Sequence, residues 1–474
     1  MTSSGSMTTA GADASANGTV FRTELTETVR LAAPMALTQL GQVAMMTTDM
    51  ILLGRLGDKV VAATALAHTV LFAAFTVGMG LVAAVAPLAS QAFGAREPRM
   101  VRRSLRVGLW AAVIAGIPLT AIQLWGEEIL LALGQAPDAA ALAHRYLSGL
   151  CWCLVPAWAF MALRNFMSAV NRPEPALWIT LAAIPANGVL AYALIYGAFG
   201  LPELDLLGAG LATTFVNLAM CAVAVWVCYA RHPFKKYRVL GRFWRFDPML
   251  FRQLLAVGLP ISGSYLLEFG VFAAAALLMG RIGTTALAAH QIALQTAAVM
   301  FMVPFGISLA ATVRVGQAVG RGDAPASRRA GLVAIGLGAV FMAGATALVA
   351  LTRHQIPLLF LGPDANAAAA ETVALAALLL VMGMTFFIAD GVQTVAAGAL
   401  RGLNDTRLPL LFAAVSFWGI GFVSCYWLAF PVGLGALGVW IGLSLGLAIY
   451  AVLLIWRFHV LTMRGYLPEV PAAP

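Results

Sequence analysis

The chain contains twelve predominantly apolar segments, each long enough to cross the hydrocarbon core of a bilayer, which takes about 20 helical residues. Hydrophobic residues make up 61% of the 474 residues and charged residues only 10%, against about 25% charged in a soluble domain. Because no globular core could cover so much apolar surface, we predict an all-α integral membrane protein with twelve transmembrane helices. The predicted spans are 29–53, 63–90, 104–125, 146–170, 176–199, 206–230, 251–279, 286–313, 331–352, 372–399, 408–429 and 435–456.

Lysine and arginine are distributed unevenly between the two ends of these spans. With the N-terminus placed in the cytoplasm, 23 of the 29 basic residues fall on the cytoplasmic side and 5 on the outer side, and Arg164 lies within a span. Cytoplasmic loops are enriched in basic residues, so we predict a multi-pass protein with both termini in the cytoplasm. The sequence contains 26 arginines and only 3 lysines. Such an excess of arginine is associated with GC-rich bacterial genomes, and we therefore expect the protein to lie in the bacterial inner (plasma) membrane.

The two halves of the chain are repeats of each other. Residues 34–104 align without a gap on residues 260–330, at a constant offset of 226, and QAFG (91–94) falls on QAVG (317–320). Each half contains six spans, an even number, so both halves have the same orientation, as in transporters that hold substrate between parallel repeats. We therefore predict two parallel-repeat six-helix lobes with a central cleft. The alternative is a duplication that only enlarges the protein and creates no substrate site between the halves.

The predicted domain boundaries follow from these spans. Residues 1–20 lack the basic and apolar regions of a signal peptide and are predicted as a disordered cytoplasmic tail. The N-lobe covers residues 21–230, the C-lobe covers residues 251–460, and a cytoplasmic tail occupies residues 461–474. Between the lobes, residues 231–250 form a basic cytoplasmic connector that faces anionic lipid. The net charge of +9 therefore does not indicate nucleic-acid binding.

Three of the 20 acidic residues lie inside predicted spans: Asp49 in the first, Glu268 in the seventh and Asp390 in the tenth. A carboxylate at the centre of a span costs about 2.5–3.5 kcal/mol on insertion scales, and such groups usually face a cavity and mark ion or proton paths. Loss of water and a second carboxylate nearby both favour the protonated form. These groups can therefore exchange a proton, or Na⁺, for an organic cation. The alternative is a buried acid that neighbouring hydroxyls satisfy, without a role in transport.

Polar residues lie on the same helix faces as these acids or on neighbouring spans, where they can supply ligands. In the N-lobe they are Gln42, Asn187 and Thr213, and in the C-lobe they are Tyr265, Gln393 and Thr394. Four apolar residues near the acids could line a soft pocket for flat organic cations: Met45, Met46, Phe269 and Phe386. The alternative for these four is packing against lipid or within the core.

The sequence lacks the motifs of other functional classes. It contains no GxxxxGK[ST], so nucleotide-driven primary transport is not expected. It contains no HExxH and no histidine–acid pair on a mid-membrane helix face, so we predict that the chain is not an enzyme and needs no cofactor. The five cysteines lie in apolar stretches without a CxxC or zinc spacing and are predicted to be buried thiols.

Four segments together resemble the multidrug and toxic compound extrusion (MATE) family, in its NorM-type branch. They are TDMILLGRLG (48–57), LEFGVFAAAALLMGRIGTTALAAHQIAL (267–294), RVGQAVGRGD (314–323) and DGVQTVAAGALRGLNDTRLP (390–409), and the resemblance covers residues 25–460. It implies an antiporter that exports cationic drugs in exchange for H⁺ or Na⁺ by alternating access. It also implies that Asp49, with Asn187 and Thr213, forms the N-lobe site. Glu268 and Asp390 would be the C-lobe cation pair, which would hold Na⁺ in a sodium-coupled transporter.

Two positions depart from the family's pattern. Ala183 lies one turn before Asn187, where relatives often carry a second asparagine, and Phe386 lies one turn before Asp390, where some carry tyrosine. Both departures remove an oxygen that Na⁺ could use, so the coupling ion stays open between H⁺ and Na⁺. We expect small organic cations as substrates, the lipid bilayer as surroundings and a monomer. The alternative of similar architecture is a lipid-linked oligosaccharide flippase or a metabolite exporter, which would use a more basic cavity.

Overall fold

The computed structural model describes residues 7–239, 241, 243–362 and 367–468. These residues are almost entirely helical and contain no β-strand. In hydrocarbon, backbone N–H and C=O groups find no water, so a spanning segment must satisfy them internally, as an α-helix does. The twelve long helices are α1 (Met7–Gly54), α2 (Asp58–Ala83, continued by Val85–Gly94), α3 (Pro98–Leu124), α4 (Pro137–Leu150, continued by Leu154–Ala169), α5 (Glu174–Tyr196), α6 (Asp205–Ala230), α7 (Pro248–Ile282), α8 (Thr284–Gly320), α9 (Ala324–Leu351), α10 (Ala367–Met382, continued by Met384–Gly402), α11 (Arg407–Ala429) and α12 (Ala436–Met463).

All twelve predicted spans are present as helices. Ten are long and apolar enough to cross a membrane as they stand, and α10, which bends by 50° at its break, makes an eleventh. Helix α1 is more polar because Gln39, Gln42 and Asp49 lie along it. Helix α11 contains a π-helical segment at Ala414–Phe422. Two short helices that the sequence analysis did not predict lie in loops, at Gly126–Ala132 and Gln355–Leu361.

The first helix begins earlier than the sequence predicted. Residues 7–20, which fall in the predicted disordered tail 1–20, continue helix α1 towards its start at Met7. Extending an existing helix costs far less than nucleating a new one, and the first proline of this helix is Pro34. Residues 1–6 of the predicted tail, and residues 469–474 of the C-terminal one, lie outside the described residues.

The loops rich in lysine and arginine lie together at one end of the molecule, which we call the basic end. Arg314, near the end of α8, pairs with Glu24 in the first part of α1 at 2.8 Å. Arg457, near the end of α12, pairs with Asp405 after α10 at 2.7 Å. The start of the first helix and the end of the last helix therefore lie at this same end, as the even number of spans in each lobe predicts.

The basic-end halves of α1 and α7 pack on the opposite lobe. Leu31 and Met35 of α1 belong to the hydrophobic core of the C-lobe, whereas Val257 and Ile261 of α7 belong to the core of the N-lobe. These residues are repeat mates, because each pair is separated by the offset of 226. The two lobes predicted at 21–230 and 251–460 are therefore joined by an exchange of helix halves, which the apolar pattern alone does not reveal.

A proline and a hydroxyl lie at the same point in each of these two exchanged helices. The Thr38 hydroxyl donates to the carbonyl of Pro34 in α1 at 2.8 Å, and the Ser264 hydroxyl donates to that of Pro260 in α7 at 2.9 Å. Proline in a helix interior removes one backbone hydrogen bond and bends the helix. The repeat therefore places an equivalent proline–hydroxyl pair where each helix crosses to the other lobe.

Two glycines let the lobes approach at backbone distance. A Cβ atom on Gly80 of α2 would lie 2.4 Å from the backbone nitrogen of Ser262 in α7. A Cβ atom on its repeat mate Gly306 of α8 would lie 2.5 Å from the backbone nitrogen of Ala36 in α1. Small residues permit such close helix crossings in membranes, where van der Waals packing drives association. The interface between the lobes is thus built twice from one repeated contact.

Gln91 holds the lobes together at the basic end. It lies at the end of α2, is 1% exposed, and donates through Nε2 to the carbonyl of Gly402 in the C-lobe at 2.9 Å. Its Oε1 accepts from Nδ2 of Asn404 at 2.9 Å. We call this set the Gln91 clasp.

Gln317, the repeat mate of Gln91, makes the reciprocal contact. Its Nε2 donates to the carbonyl of Ala169 in the N-lobe at 3.0 Å and to Oδ1 of Asn171 at 2.9 Å. Asn171 and Asn404, the asparagines of the two clasps, both have a positive φ, of 60° and 57°. With this Gln317 clasp, the cleft between the lobes is closed at the basic end by two equivalent amide contacts.

The connector docks on the N-lobe. The sequence analysis predicted instead that it faces anionic lipid. Phe234 and Tyr237 are buried, and the Tyr237 ring packs edge-on against Phe166 of α4 at 5.5 Å between centroids. Asp247 caps the start of α7 by accepting from the backbone N–H of Leu250, and it also pairs with Arg103 at 2.6 Å. The aromatic residues of the basic segment anchor it, which its charge did not predict.

The glycine crossing predicts a stability effect. Gly80→Ala should lower the thermal unfolding temperature in detergent, because overpacking of this kind costs about 1–3 kcal/mol. The matched control is Gly336→Ala in α9, where a Cβ atom has no neighbour within 4 Å. The control should be neutral or stabilising, since alanine favours helix by about 1 kcal/mol over glycine. Equal effects of the two substitutions would contradict close packing at Gly80.

The glutamine clasps predict a conformational effect. Gln91→Ala combined with Gln317→Ala should open the basic end, because it removes the paired amide contacts between the lobes. We expect longer and broader distances between spin labels at Trp244 and Met463, which are exposed at that end, by double electron–electron resonance in nanodiscs. Gln355→Ala, at an exposed glutamine outside both clasps, is the control. Unchanged distances in the double variant would contradict a gating role.

Candidate functional site

Asp49 lies five residues before the end of α1 and is only 6% exposed. Asn187 of α5 donates through Nδ2 to Asp49 Oδ1 at 2.5 Å, and Thr213 of α6 donates through Oγ1 to Asp49 Oδ2 at 3.1 Å. Helices α1, α5 and α6 thus contribute one polar side chain each to a single site. The structure brings together the three residues that the sequence singled out as acid and companions.

The Asn187 amide is only half satisfied. Its side chain is fully buried, and Oδ1 has no hydrogen-bond partner in the part of the chain that the structure describes. A buried amide oxygen without a donor is costly, on the order of 1–3 kcal/mol. The site therefore contains an unused acceptor directly beside the carboxylate.

The other N-lobe residues predicted near Asp49 lie further from it. Gln42 is two helical turns before Asp49, about 10 Å along the axis, and forms no hydrogen bond with it among the described side chains. Met45 is half-buried against the N-lobe core, whereas Met46 is 52% exposed. Of these three, only Met46 presents a largely open surface.

In the C-lobe, one amide bridges two carboxylates. Gln393 donates through Nε2 to Glu268 Oε1 at 2.9 Å and to Asp390 Oδ1 at 3.1 Å. Asp390 is 6% exposed and Gln393 is 2% exposed, whereas Glu268 is half-buried. The predicted pairing of Glu268 on α7 with Asp390 on α10 is therefore present, with Gln393 as its link.

The remaining C-lobe residues have different partners. The Tyr265 hydroxyl accepts from Nη1 of Arg401 at 2.7 Å, and the guanidinium lies 4.8 Å from the tyrosine ring centroid. Thr394 takes part through its backbone carbonyl, which accepts from Ser308 at 2.7 Å. Neither Tyr265 nor Thr394 bonds a carboxylate in the described structure.

Arg401 is a site residue that the sequence analysis did not select. It follows Asp390 by eleven residues, which is three helical turns, so both lie on one face of α10. Through Tyr265 it connects α10 to α7, one turn from Glu268. A search for basic residues in register with the acids would have found it.

The aromatic residues predicted as a pocket have separate places. Phe269 of α7 contacts Phe72 of α2 across the two lobes, with ring centroids 4.7 Å apart. Phe386 is buried in the C-lobe core, where it packs against Phe272 and Trp440. Phe386 is therefore a core residue and does not line an open pocket. The aromatic partner of Phe269 is Phe72, which the sequence analysis did not name.

Arg164 of α4 is a buried cation beside the contact between the lobes. It is 5% exposed, and its Nη1 donates to Oε1 of Gln39 in α1 at 2.5 Å. It lines a cavity of about 10 Å³ together with Thr38 of α1 and Leu309 of α8, which is the minimum volume for one water molecule. This cation lies between the acidic sites and the basic end.

The three carboxyl groups lie among hydrogen-bond donors. None of the three carboxylates has a basic group within 4.0 Å among the described residues. Their nearest neighbours are N–H and O–H donors, whereas Na⁺, a hard cation, requires several converging oxygen ligands. Phe386 adds no oxygen, and no cluster of three or more His, Cys, Asp or Glu side chains occurs within the described ranges.

Comparison with known proteins gives consistent results. The MatE family model matches residues 34–193 and 260–427. A protein of Rhodopseudomonas palustris named "Probable multidrug resistance protein NorM" is 66% identical over 472 residues, which cover 100% of this chain and 99% of that protein. One of the same name from Bradyrhizobium diazoefficiens is 59% identical over 445 residues, covering 93% and 94% of the two chains.

Solved structures share the fold. The crystal structure of a eukaryotic MATE transporter matches with a TM-score of 0.83 at 21% identity, covering 94% of this chain and 98% of that one. The family model and the curated relatives both extend over both lobes. The chain therefore belongs to the MatE family, the multidrug and toxic compound extrusion transporters that its motifs resemble.

Proposed function

We propose that the chain is a secondary active antiporter that exports organic cations, including drugs, in exchange for H⁺ by alternating access. The observation that carries the proposal is the set of carboxylates inside spanning helices, Asp49, Glu268 and Asp390, with no basic partner within 4.0 Å among the described residues. Such groups mark ion and proton paths. As a member of a transporter family, the chain is a transporter and not an enzyme.

The names of the relatives support the substrate class. Both curated relatives carry the name multidrug resistance protein, and they match the chain at 66% and 59% identity over nearly its whole length. An acidic site attracts cations, whereas a flippase or exporter of anionic cargo would need a basic one. The polarity of the carboxylate sites therefore favours cationic drugs.

The amide groups support H⁺ as the coupling ion. Asn187 and Gln393 direct N–H donors at the carboxyl groups. When a carboxyl group is protonated, the neighbouring amide can turn by 180° and accept its O–H through the carbonyl oxygen. The unpartnered Oδ1 of Asn187 provides such an acceptor. The same amide can thus partner both protonation states of the carboxyl group.

The transport cycle follows from this chemistry. With the glutamine clasps closed, protons reach the carboxylates from the side opposite the basic end and displace the drug cation to that side. Opening of the clasps then exposes the cleft to the basic end, where protons leave and the next cation enters. The membrane potential supplies about 2.3 kcal/mol per charge per 100 mV.

Location and assembly complete the proposal. The basic end is assigned to the cytoplasm because cytoplasmic loops are enriched in lysine and arginine, which places both termini inside. The bacterial relatives support the inner membrane. The unit of transport is proposed to be a monomer, because each chain contains both lobes and the cleft between them.

Removal of each carboxylate charge tests the antiporter. In proteoliposomes with an imposed H⁺ gradient, wild-type protein should move ethidium. Asp49→Asn, Glu268→Gln and Asp390→Asn should each reduce the rate to near that of protein-free liposomes, because none can bind and release a proton.

Matched controls separate the site from overall charge. Asp138→Asn, in the first turn of α4, and Glu203→Gln, in the loop before α6, remove the same charges from exposed positions and should retain wild-type rates. Full activity in all three site variants would leave transport intact but exclude the carboxylates as its mechanism. No gradient-dependent movement by the wild type would count against a drug antiporter and favour a flippase or metabolite exporter.

The coupling ion has a separate test. An H⁺ gradient at constant Na⁺ should drive ethidium movement, and a Na⁺ gradient at constant pH should not, because the proposed exchange uses the protons of the carboxyl groups. Initial rates under the two gradients are compared in the same proteoliposome preparation. Movement under the Na⁺ gradient alone would overturn proton coupling and assign Na⁺ to the Glu268–Asp390 pair.

A further inference from the structure

A cavity of about 420 Å³ opens at the basic end where three segments of the chain meet. Its charged lining residues are Arg96 from the loop after α2, Lys236 from the connector, Arg321 from the turn after α8, and Glu97. Phe93, Val101 and Tyr237 contribute apolar surface beside them. Three cations from distant parts of the sequence therefore converge on one concave surface that also has an apolar wall.

The cations of this cavity have no acidic partner. Arg96, Lys236 and Arg321 form no ion pair within 4.0 Å among the described residues. Glu97 is the one acid in the lining, so the formal charge of the cavity is positive. Three cations that converge beside a single acid still repel each other, and an anion placed between them reduces that repulsion.

A second cavity at the same end is a natural comparison. It has about 330 Å³ and is lined by Arg30 and Arg172 together with Glu27 and Glu174, so its charges balance. Both cavities lie among the same basic loops and share Phe93. The unbalanced charge is therefore a property of the first cavity and not of the whole surface.

The connector fixes one of the three cations in place. Lys236 precedes the buried Tyr237, and its Nζ lies 5.2 Å from the centroid of that ring. Tyr237 in turn packs on Phe166 of α4. Lys236 therefore moves with the N-lobe, as does Arg96.

Arg321 belongs to the opposite lobe. It directly follows Gly320 of α8, where a Cβ atom would lie 2.0 Å from the carbonyl oxygen of Gln91 in the N-lobe. Arg321 can therefore face Arg96 and Lys236 only while the Gln91 and Gln317 clasps hold the lobes together. An anion that contacts all three cations bridges the two lobes.

We propose that this cavity binds the phosphate-bearing headgroup of an anionic phospholipid, and that the bound headgroup holds the basic end closed. The lining chemistry fits: guanidinium and ammonium groups for the phosphate, with apolar surface for the glycerol backbone. Basic pockets between spanning helices on the cytoplasmic side recognise such headgroups. This inference goes beyond drug transport and does not depend on which ion is coupled.

Binding is tested on the purified full-length protein in a neutral detergent. Isothermal titration calorimetry with dioctanoyl-phosphatidylglycerol should show binding, and dioctanoyl-phosphatidylcholine should not. Arg96→Gln, Lys236→Gln and Arg321→Gln should each weaken binding by about fivefold, the effect of one basic residue at an anionic surface. Arg99→Gln in the first turn of α3 and Arg30→Gln in the balanced cavity remove the same charge and should leave binding unchanged.

Inorganic phosphate distinguishes the two sources of the anion. Phosphate that binds as tightly as the lipid, with the same dependence on Arg321, would mean that a free anion and not a headgroup occupies the site, and would overturn the lipid assignment. Equal binding of the two lipids, or equal losses in the Arg99 and Arg321 variants, would overturn the site itself.

The conformational part has its own measurement. Spin labels at Trp244 and Met463 should report a larger closed population in phosphatidylglycerol nanodiscs than in phosphatidylcholine nanodiscs. Arg321→Gln should remove that difference, and Arg30→Gln should keep it. A lipid effect that persists in the Arg321 variant would show that the cavity does not bridge the lobes. None of these readouts requires transport, so they stand apart from the test of the antiporter.

Discussion

Hydrocarbon offers polar groups no hydrogen bonds, and the rest of this structure depends on that constraint. It forces the backbone into helices and requires each polar side chain in a span to find a partner inside the protein. Thr38 and Ser264 bond to the carbonyl of a proline one turn earlier. Asp49 and Asp390 receive N–H groups from Asn187 and Gln393. The hydrogen bonds of the site therefore replace those that water would otherwise form.

Because the chain is a duplication, each of these contacts between the lobes occurs twice. The resulting interface between the lobes can open and close. Gly80 against Ser262 and Gly306 against Ala36 are the same contact, made once from each lobe, and the Gln91 and Gln317 clasps are equivalent in the same way. Packed interfaces of this kind have discrete alternatives and do not deform continuously. Two equivalent clasps at one end can therefore release together, which is what alternating access requires.

The carboxylates do not follow the duplication. Ala275 stands at the repeat mate of Asp49, and Gln42 stands at that of Glu268. One lobe holds a single acid between an asparagine and a threonine, whereas the other holds a pair of acids on one glutamine. The scaffold is thus symmetric at the contacts between the lobes and asymmetric at the carboxylates. Each lobe therefore has its own arrangement of carboxyl and amide groups.

The sequence by itself determined the twelve spans, the repeat, the shared side of the basic loops and the three intramembrane acids, because hydrophobic length, offset and charge are local or linear properties. It also selected Asn187, Thr213 and Gln393, since few polar residues are present in these spans. Only the tertiary structure decided that α1 and α7 exchange halves and that Phe386 is a core residue. It alone decided that Tyr265 bonds Arg401 and that Arg96, Lys236 and Arg321 meet in one cavity. These outcomes depend on which helix faces come together, and helix packing between residues hundreds of positions apart leaves no periodic signal in a single sequence.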